Sequence, residues 1–174
     1  APSTGVLEFA AGSMLTNVVV TNGFYLGAYG GIGRIEGLPA GVHLTVGDAA
    51  ANTRCEMIIG HKTVTGGVAA QGALSLTNGG FRAYLSSLMV GYHKDAEPPY
   101  YYGSSVGSLD LTKTTLTMMD VSGDTFVGYS SKTNPGANKT YGYLLLPPGN
   151  ARTGRLYVGG SNASYSYGLL ELHG

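Results

Sequence analysis

The residues of this chain that could carry acyl-transfer chemistry are Ser105, Asp120 or Asp124, and His173. Ser105 stands in Gly103-Ser104-Ser105-Val106-Gly107, which fits the glycine–x–serine–x–glycine pattern of a nucleophile elbow, and the acid and histidine follow in the right order. An elbow also needs a strand, a sharp turn and a helix, and no helical signal follows Gly107. A chain with 29 glycines generates such a pentapeptide by chance. No hydrolase is expected from it.

The other chemical candidates fall in the same way. Gly27-Ala28-Tyr29-Gly30-Gly31-Ile32-Gly33 looks like a phosphate-cradling loop, but such a loop opens a helix whose N-terminus meets the anion. Here Arg34-Ile35-Glu36 follows and reads as a strand, so close backbone approach at glycine is the better account. His43, His61, His93 and His173 are scattered, with no paired spacing for a metal. Asp120 and Asp124 flank Ser122-Gly123 without the ligand spacing of a calcium loop, and read as an ordinary turn. The single cysteine, Cys55, allows neither an intrachain disulfide nor a cysteine metal cage, and reads as a buried small hydrophobe. No enzyme, cofactor or metal is expected.

Tyrosine offers binding chemistry instead. Tyr100-Tyr101-Tyr102 follows directly on the charged, proline-rich segment His93-Lys94-Asp95-Ala96-Glu97-Pro98-Pro99. Three consecutive side chains cannot all enter one core, so at least one faces solvent or a partner. Tyrosine combines contact area with low side-chain entropy and a hydroxyl. Tyr100, Tyr101 and Tyr102, with Lys94, Asp95 and Glu97 on the adjoining loop, are therefore the candidate contact site. Tyr141/Tyr143 and Tyr165/Tyr167 alternate along strands, and the first pair is expected to line a sheet core.

The elements that must position these residues are short strands. Glycine interrupts every segment before it reaches helical length, and β-branched residues are frequent. Asn22-Gly23 and Asn78-Gly79, each between β-rich runs, predict two hairpins rather than an internal duplication. About ten to twelve strands with regular turn signals predict an all-β fold with little or no helix. The expected arrangement is one domain over residues 1–174, an antiparallel sandwich or jelly roll, with a TNF-like topology among the options. Charged residues make up 11% of the chain, its net charge is zero and its basic residues are dispersed, which excludes a nucleic-acid partner. No apolar run approaches the ~18 residues of a membrane span, so membrane insertion is not expected.

The Gly/Ser/Thr/Tyr-rich strands, the Asn-Gly turns, Tyr100–Tyr102 and the uncharged Leu144-Leu145-Leu146-Pro147-Pro148-Gly149 stretch give the chain a resemblance in style. It resembles small β-rich surface proteins of bacteriophages and other virions: fibre tips, tail-needle knobs and capsid decoration proteins. That resemblance implies a homotrimer on the virion surface, joined to other virion proteins and attaching to a host glycan or protein. Low charge and apolar runs such as Gly168–Leu172 support self-association independently. A capsid decoration protein is the alternative. An extracellular filament or pilus subunit, in which Ser3–Phe9 completes a neighbour's sheet, and a free-standing lectin are further ones.

Overall fold

A two-residue beat sets the layers. Along Ala70–Thr77 burial alternates strictly, with Gly72, Leu74 and Leu76 inside and Gln71, Ala73, Ser75 and Thr77 outside. The same beat marks Ser105–Thr112 and Lys139–Leu146. Each is a strand with one face on an apolar interior. The computed structural model describes residues 4–9, 14–36, 38–62, 69–93, 103–131, 139–160 and 165–173.

Thirteen strands lie among the described residues: β1 (Thr4–Glu8), β2 (Asn17–Val20), β3 (Gly23–Ala28), β4 (Ile32–Glu36), β5 (His43–Val46), β6 (Cys55–Lys62), β7 (Ala70–Thr77), β8 (Gly80–His93), β9 (Ser105–Lys113), β10 (Leu116–Ser130), β11 (Lys139–Leu146), β12 (Asn150–Val158) and β13 (Tyr165–Leu172). The first sheet has the order β1-β4-β7-β9-β11-β13. The second runs β12-β10-β8-β5-β2, with β3 joined to β6 and β6 to β8 alongside. Every pairing between these strands is parallel. The chain passes through the first sheet, crosses the second and returns, each pass stacked on the one before. The fold is a parallel β-solenoid.

All-β holds, but the expected antiparallel sandwich or jelly roll does not. The Asn-Gly signals are the source of the error. Asn22-Gly23 joins β2 to β3 within the second sheet, and the chain bends there without reversing. Asn78-Gly79, with Asn78 at φ 54°, is a corner carrying β7 of the first sheet into β8 of the second. A residue with positive φ serves a solenoid corner as well as a hairpin. The two Thr-Asn-Gly copies are thus neither hairpins nor equivalent places in a repeat.

Glycine sets the thickness of the molecule. Gly5, Gly33, Gly72, Gly107, Gly142 and Gly168 stand in register across the first sheet. Opposite them, one in each pass of the second sheet, are Gly27, Gly60, Gly91, Gly128 and Gly159, all at positive φ. A Cβ on Gly107 would lie 2.1 Å from the Gly91 nitrogen and 2.2 Å from the Ile59 oxygen. One on Gly91 would lie 1.8 Å from the Tyr141 oxygen. The two sheets therefore touch backbone to backbone along a seam, and no side chain fits between them. The close approach expected within Gly27–Gly33 belongs to this seam, since a Cβ on Gly33 would meet the Gly27 nitrogen at 2.3 Å. Its two strands lie in different sheets rather than side by side.

On one side of the seam the interior is apolar. Leu74, Leu109, Leu144 and Leu170 stack in register from the first sheet, facing Met57, Ile59, Leu85, Leu88, Val90 and Val127 from the second. Cys55 belongs to this core at 1% exposure, its Sγ 3.8 Å from the Val20 carbonyl oxygen, and burial pushes its thiol pKa up. Cys55 should therefore resist a thiol reagent at neutral pH until urea unfolds the chain. Rapid labelling of the native protein would contradict this packing.

Candidate functional site

The outer faces of the two sheets differ in chemistry. On the first sheet, Gln71, Val106, Tyr141 and Tyr167 form one outward row, and Ala73, Ser108, Tyr143 and Leu169 the next. The second row continues to Arg34, and the row beyond it carries Asp110 and Glu171. Tyr141 and Tyr143 are half-buried on this outer face, and the inward positions beside them are Gly142 and Leu144. They do not line the core as expected, because the glycine seam takes the inward position between them.

The second sheet's outer face carries ions and aromatic rings. Thr45, Arg82 and Met118 stand in one row, and Tyr84, Asp120 and Arg152 in the next. Further along, Phe126 stacks on Tyr157 with ring centres 4.9 Å apart and on Tyr92 at 4.7 Å. Tyr25 is 47% exposed and gives its hydroxyl to Glu56 Oε2 at 3.3 Å. Burial, and then the Glu56 charge, raise that hydroxyl's pKa.

One loop breaks the regular winding. β8 and β10 cross the second sheet as single strands of 14 and 15 residues. Between β5 and β6 the chain instead leaves the surface at Gly47 and returns at Arg54. Gly47 has φ +82°, and a Cβ there would sit 2.1 Å from the Tyr84 oxygen. Asp48 and Thr53 close the loop with reciprocal backbone hydrogen bonds of 2.8 Å. Asp48 Oδ1 accepts from the amides of Ala50 at 2.9 Å and Ala51 at 3.1 Å, a turn typical of aspartate. Asn52, at φ 53°, accepts the Tyr84 hydroxyl at 2.7 Å.

Arg54 fastens the loop to the sheet. Its guanidinium lies 3.6 Å from the centre of the Tyr84 ring. It donates to the carbonyl oxygens of Leu85 at 2.8 Å and Asp120 at 3.1 Å, and to the Asp120 carboxylate at 3.1 Å. Arg152 approaches the other Asp120 oxygen at 3.7 Å. The raised loop and the flat sheet enclose a groove of about 540 Å3. Val19, Met118 and the loop alanines give it apolar walls, and Arg82, Asp48, Asp120 and Tyr84 its polar ones. Val19 is 64% and Met118 53% exposed. Arg82 makes no ion pair among the described residues.

Asp120 is held by two arginines and Asp48 by its own loop. Asp124 is held by Arg155 at 2.7 and 3.0 Å, which raises the arginine's pKa. Asp120 and Asp124 thus sit within β10 as ion-pair partners rather than in a turn. No group of three or more metal-ligating side chains occurs among the described residues. Ser105 points inward at 0% exposure, whereas His173 is exposed, its Nε2 3.6 Å from Glu171. The elbow reading places no triad together.

Tyr100, Tyr101, Tyr102, Lys94, Asp95 and Glu97 lie outside the described residues. Of the groove residues only Asp120 was singled out from sequence, and in other roles. The signal available was Arg82 at an outward strand position between the buried Phe81 and Ala83, and Arg54 directly before β6, together with the break Gly47-Asp48-Ala49-Ala50-Ala51-Asn52. No protein-family model, curated protein or solved structure matches the chain.

Proposed function

We propose that this chain is an attachment-type surface module of a virion, in which the groove on the second sheet takes up a host-surface glycan. The observation that carries this reading is the Gly47–Arg54 loop, which raises a walled groove on an otherwise flat and regular scaffold. Loops held on a rigid frame are where recognition concentrates. The chemistry fits a sugar: Val19 and Met118 offer apolar contact to ring C–H groups, while Arg82 and the rim carboxylates offer donors and acceptors to hydroxyls. The tyrosines on the first sheet's outer face support self-association, with a homotrimer as the assembly that the sequence resemblance implies. Tyr100, Tyr101 and Tyr102, with Lys94, Asp95 and Glu97, are proposed as a second contact.

The test is binding of the purified chain to arrayed glycans and to intact capsids. Wild type should bind a restricted set of glycans. Arg82→Ala with Met118→Ala should lower that binding at least about tenfold, a loss of ~1.4 kcal/mol, with an unchanged circular dichroism spectrum. Alanine at Tyr100, Tyr101 and Tyr102 tests the second contact separately. Full retention of glycan binding in both variants would contradict the reading. Binding to capsids with none to glycans would select the decoration alternative.

A further inference from the structure

The glycine seam divides the interior, and its second side is polar. Two residues before the seam glycines, the first sheet places Ala70, Ser105 and Thr140 in register. Two residues after them, the second sheet places Lys62, His93 and Ser130 in register. All six are 0–1% exposed. On the other side of the seam the buried polar residues Thr117 and Thr125 each hydrogen-bond another threonine, Thr114 and Thr153.

Gly107 abuts both Ile59 and Gly91 across the seam. Two residues away, Ser105 is therefore placed opposite the Lys62–His93 pair, and Thr140 one level further on. Lys62 Nζ, Ser105 Oγ and Thr140 Oγ1 have no hydrogen-bond partner among the described residues. Three sealed donors on neighbouring strands, one of them an ammonium, lack a common acceptor. A buried ammonium without a counter-charge costs several kcal/mol. Burial accordingly pushes the Lys62 pKa down. A deprotonated Lys62 amine could accept from one hydroxyl only, whereas one anion would answer all three groups.

We propose that this polar lobe is an internal binding site for a small inorganic anion of halide size, held by the Lys62 ammonium and the Ser105 and Thr140 hydroxyls. The anion pins β6, β9 and β11 together beside the seam. It is a structural site, separate from the surface groove, and stands or falls independently of glycan binding.

Bromide is the probe. Thermal unfolding of the full chain at constant ionic strength, with gluconate replaced stepwise by bromide, should show a melting temperature that climbs by several degrees and saturates. Lys62→Met, which keeps the length of the side chain without its charge, should melt at a temperature indifferent to bromide. Crystals of the wild-type chain grown in bromide should show an anomalous peak in contact with Lys62 Nζ, which decides the matter even if the variant does not fold. No peak at that position, or the same bromide dependence in Lys62→Met as in wild type, would overturn the proposal.

Discussion

Gly107→Ala should destabilise the chain severely, whereas Gly5→Ala, on the same glycine ladder, should leave it as stable as wild type or slightly more so. The contrast follows from what each new methyl group meets. At Gly107 the obstacles are the Gly91 nitrogen at 2.1 Å and the Ile59 oxygen at 2.2 Å, both backbone atoms that no rotamer change can move. The sheets can only part. Parting them opens the packing of Leu74, Leu109 and Leu144 against Ile59, Leu88 and Val90. A cost above about 4 kcal/mol is expected, a large share of the ~5–15 kcal/mol that stabilises an ordinary domain. Around Gly5 nothing lies within 4 Å of the added carbon. Alanine there restricts the unfolded chain and should gain up to about 1 kcal/mol. Urea titrations of both variants, followed by circular dichroism, measure the difference. A cost at Gly107 below about 1 kcal/mol would mean that the two sheets are not in backbone contact.

Arg54→Ala should show the second large effect, on stability and recognition together. The substitution removes a ring stack, two hydrogen bonds to backbone carbonyls and one to the Asp120 carboxylate. The side chain is 21% exposed, so solvent compensates part of the loss. A cost of about 2–3 kcal/mol is expected. Arg54→Lys should recover little of it, because a lysine cannot span two carbonyls and a carboxylate while lying flat on Tyr84. With its clamp gone, the Asp48–Thr53 loop should lose its fixed distance from the sheet, and glycan binding should fall with it. Denaturant midpoints and array binding of the two variants provide the measurement. Wild-type stability in Arg54→Ala would show that the loop does not depend on this clamp.

The local elements of this fold were legible in the sequence and their assembly was not. Alternation in Leu74-Ser75-Leu76-Thr77 marks a strand with one buried face, and it holds equally for antiparallel and parallel neighbours. The Asn-Gly pairs tipped the balance towards hairpins, although a left-handed residue such as Asn78 also closes a solenoid corner. A repeat is present, in the seam glycines. Its interval from Gly72 to Gly107 equals that from Gly107 to Gly142, but is longer before and shorter after. Unequal connections hide such a period from any fixed-spacing search. The groove was hidden for a different reason. Arg54, Tyr84 and Asp120 meet only because three successive passes stack in register, and nothing local to any of them announces the others.

A hydrogen-exchange footprint tests whether recognition lies in the groove of the second sheet. The chain is measured alone and saturated with its strongest arrayed glycan. Slowed exchange concentrated at residues 47–54, 82–84 and 118–120, with the outward rows of β9, β11 and β13 unchanged, is the predicted result. Protection confined to the first sheet, with the 47–54 loop exchanging as in the free chain, would contradict it.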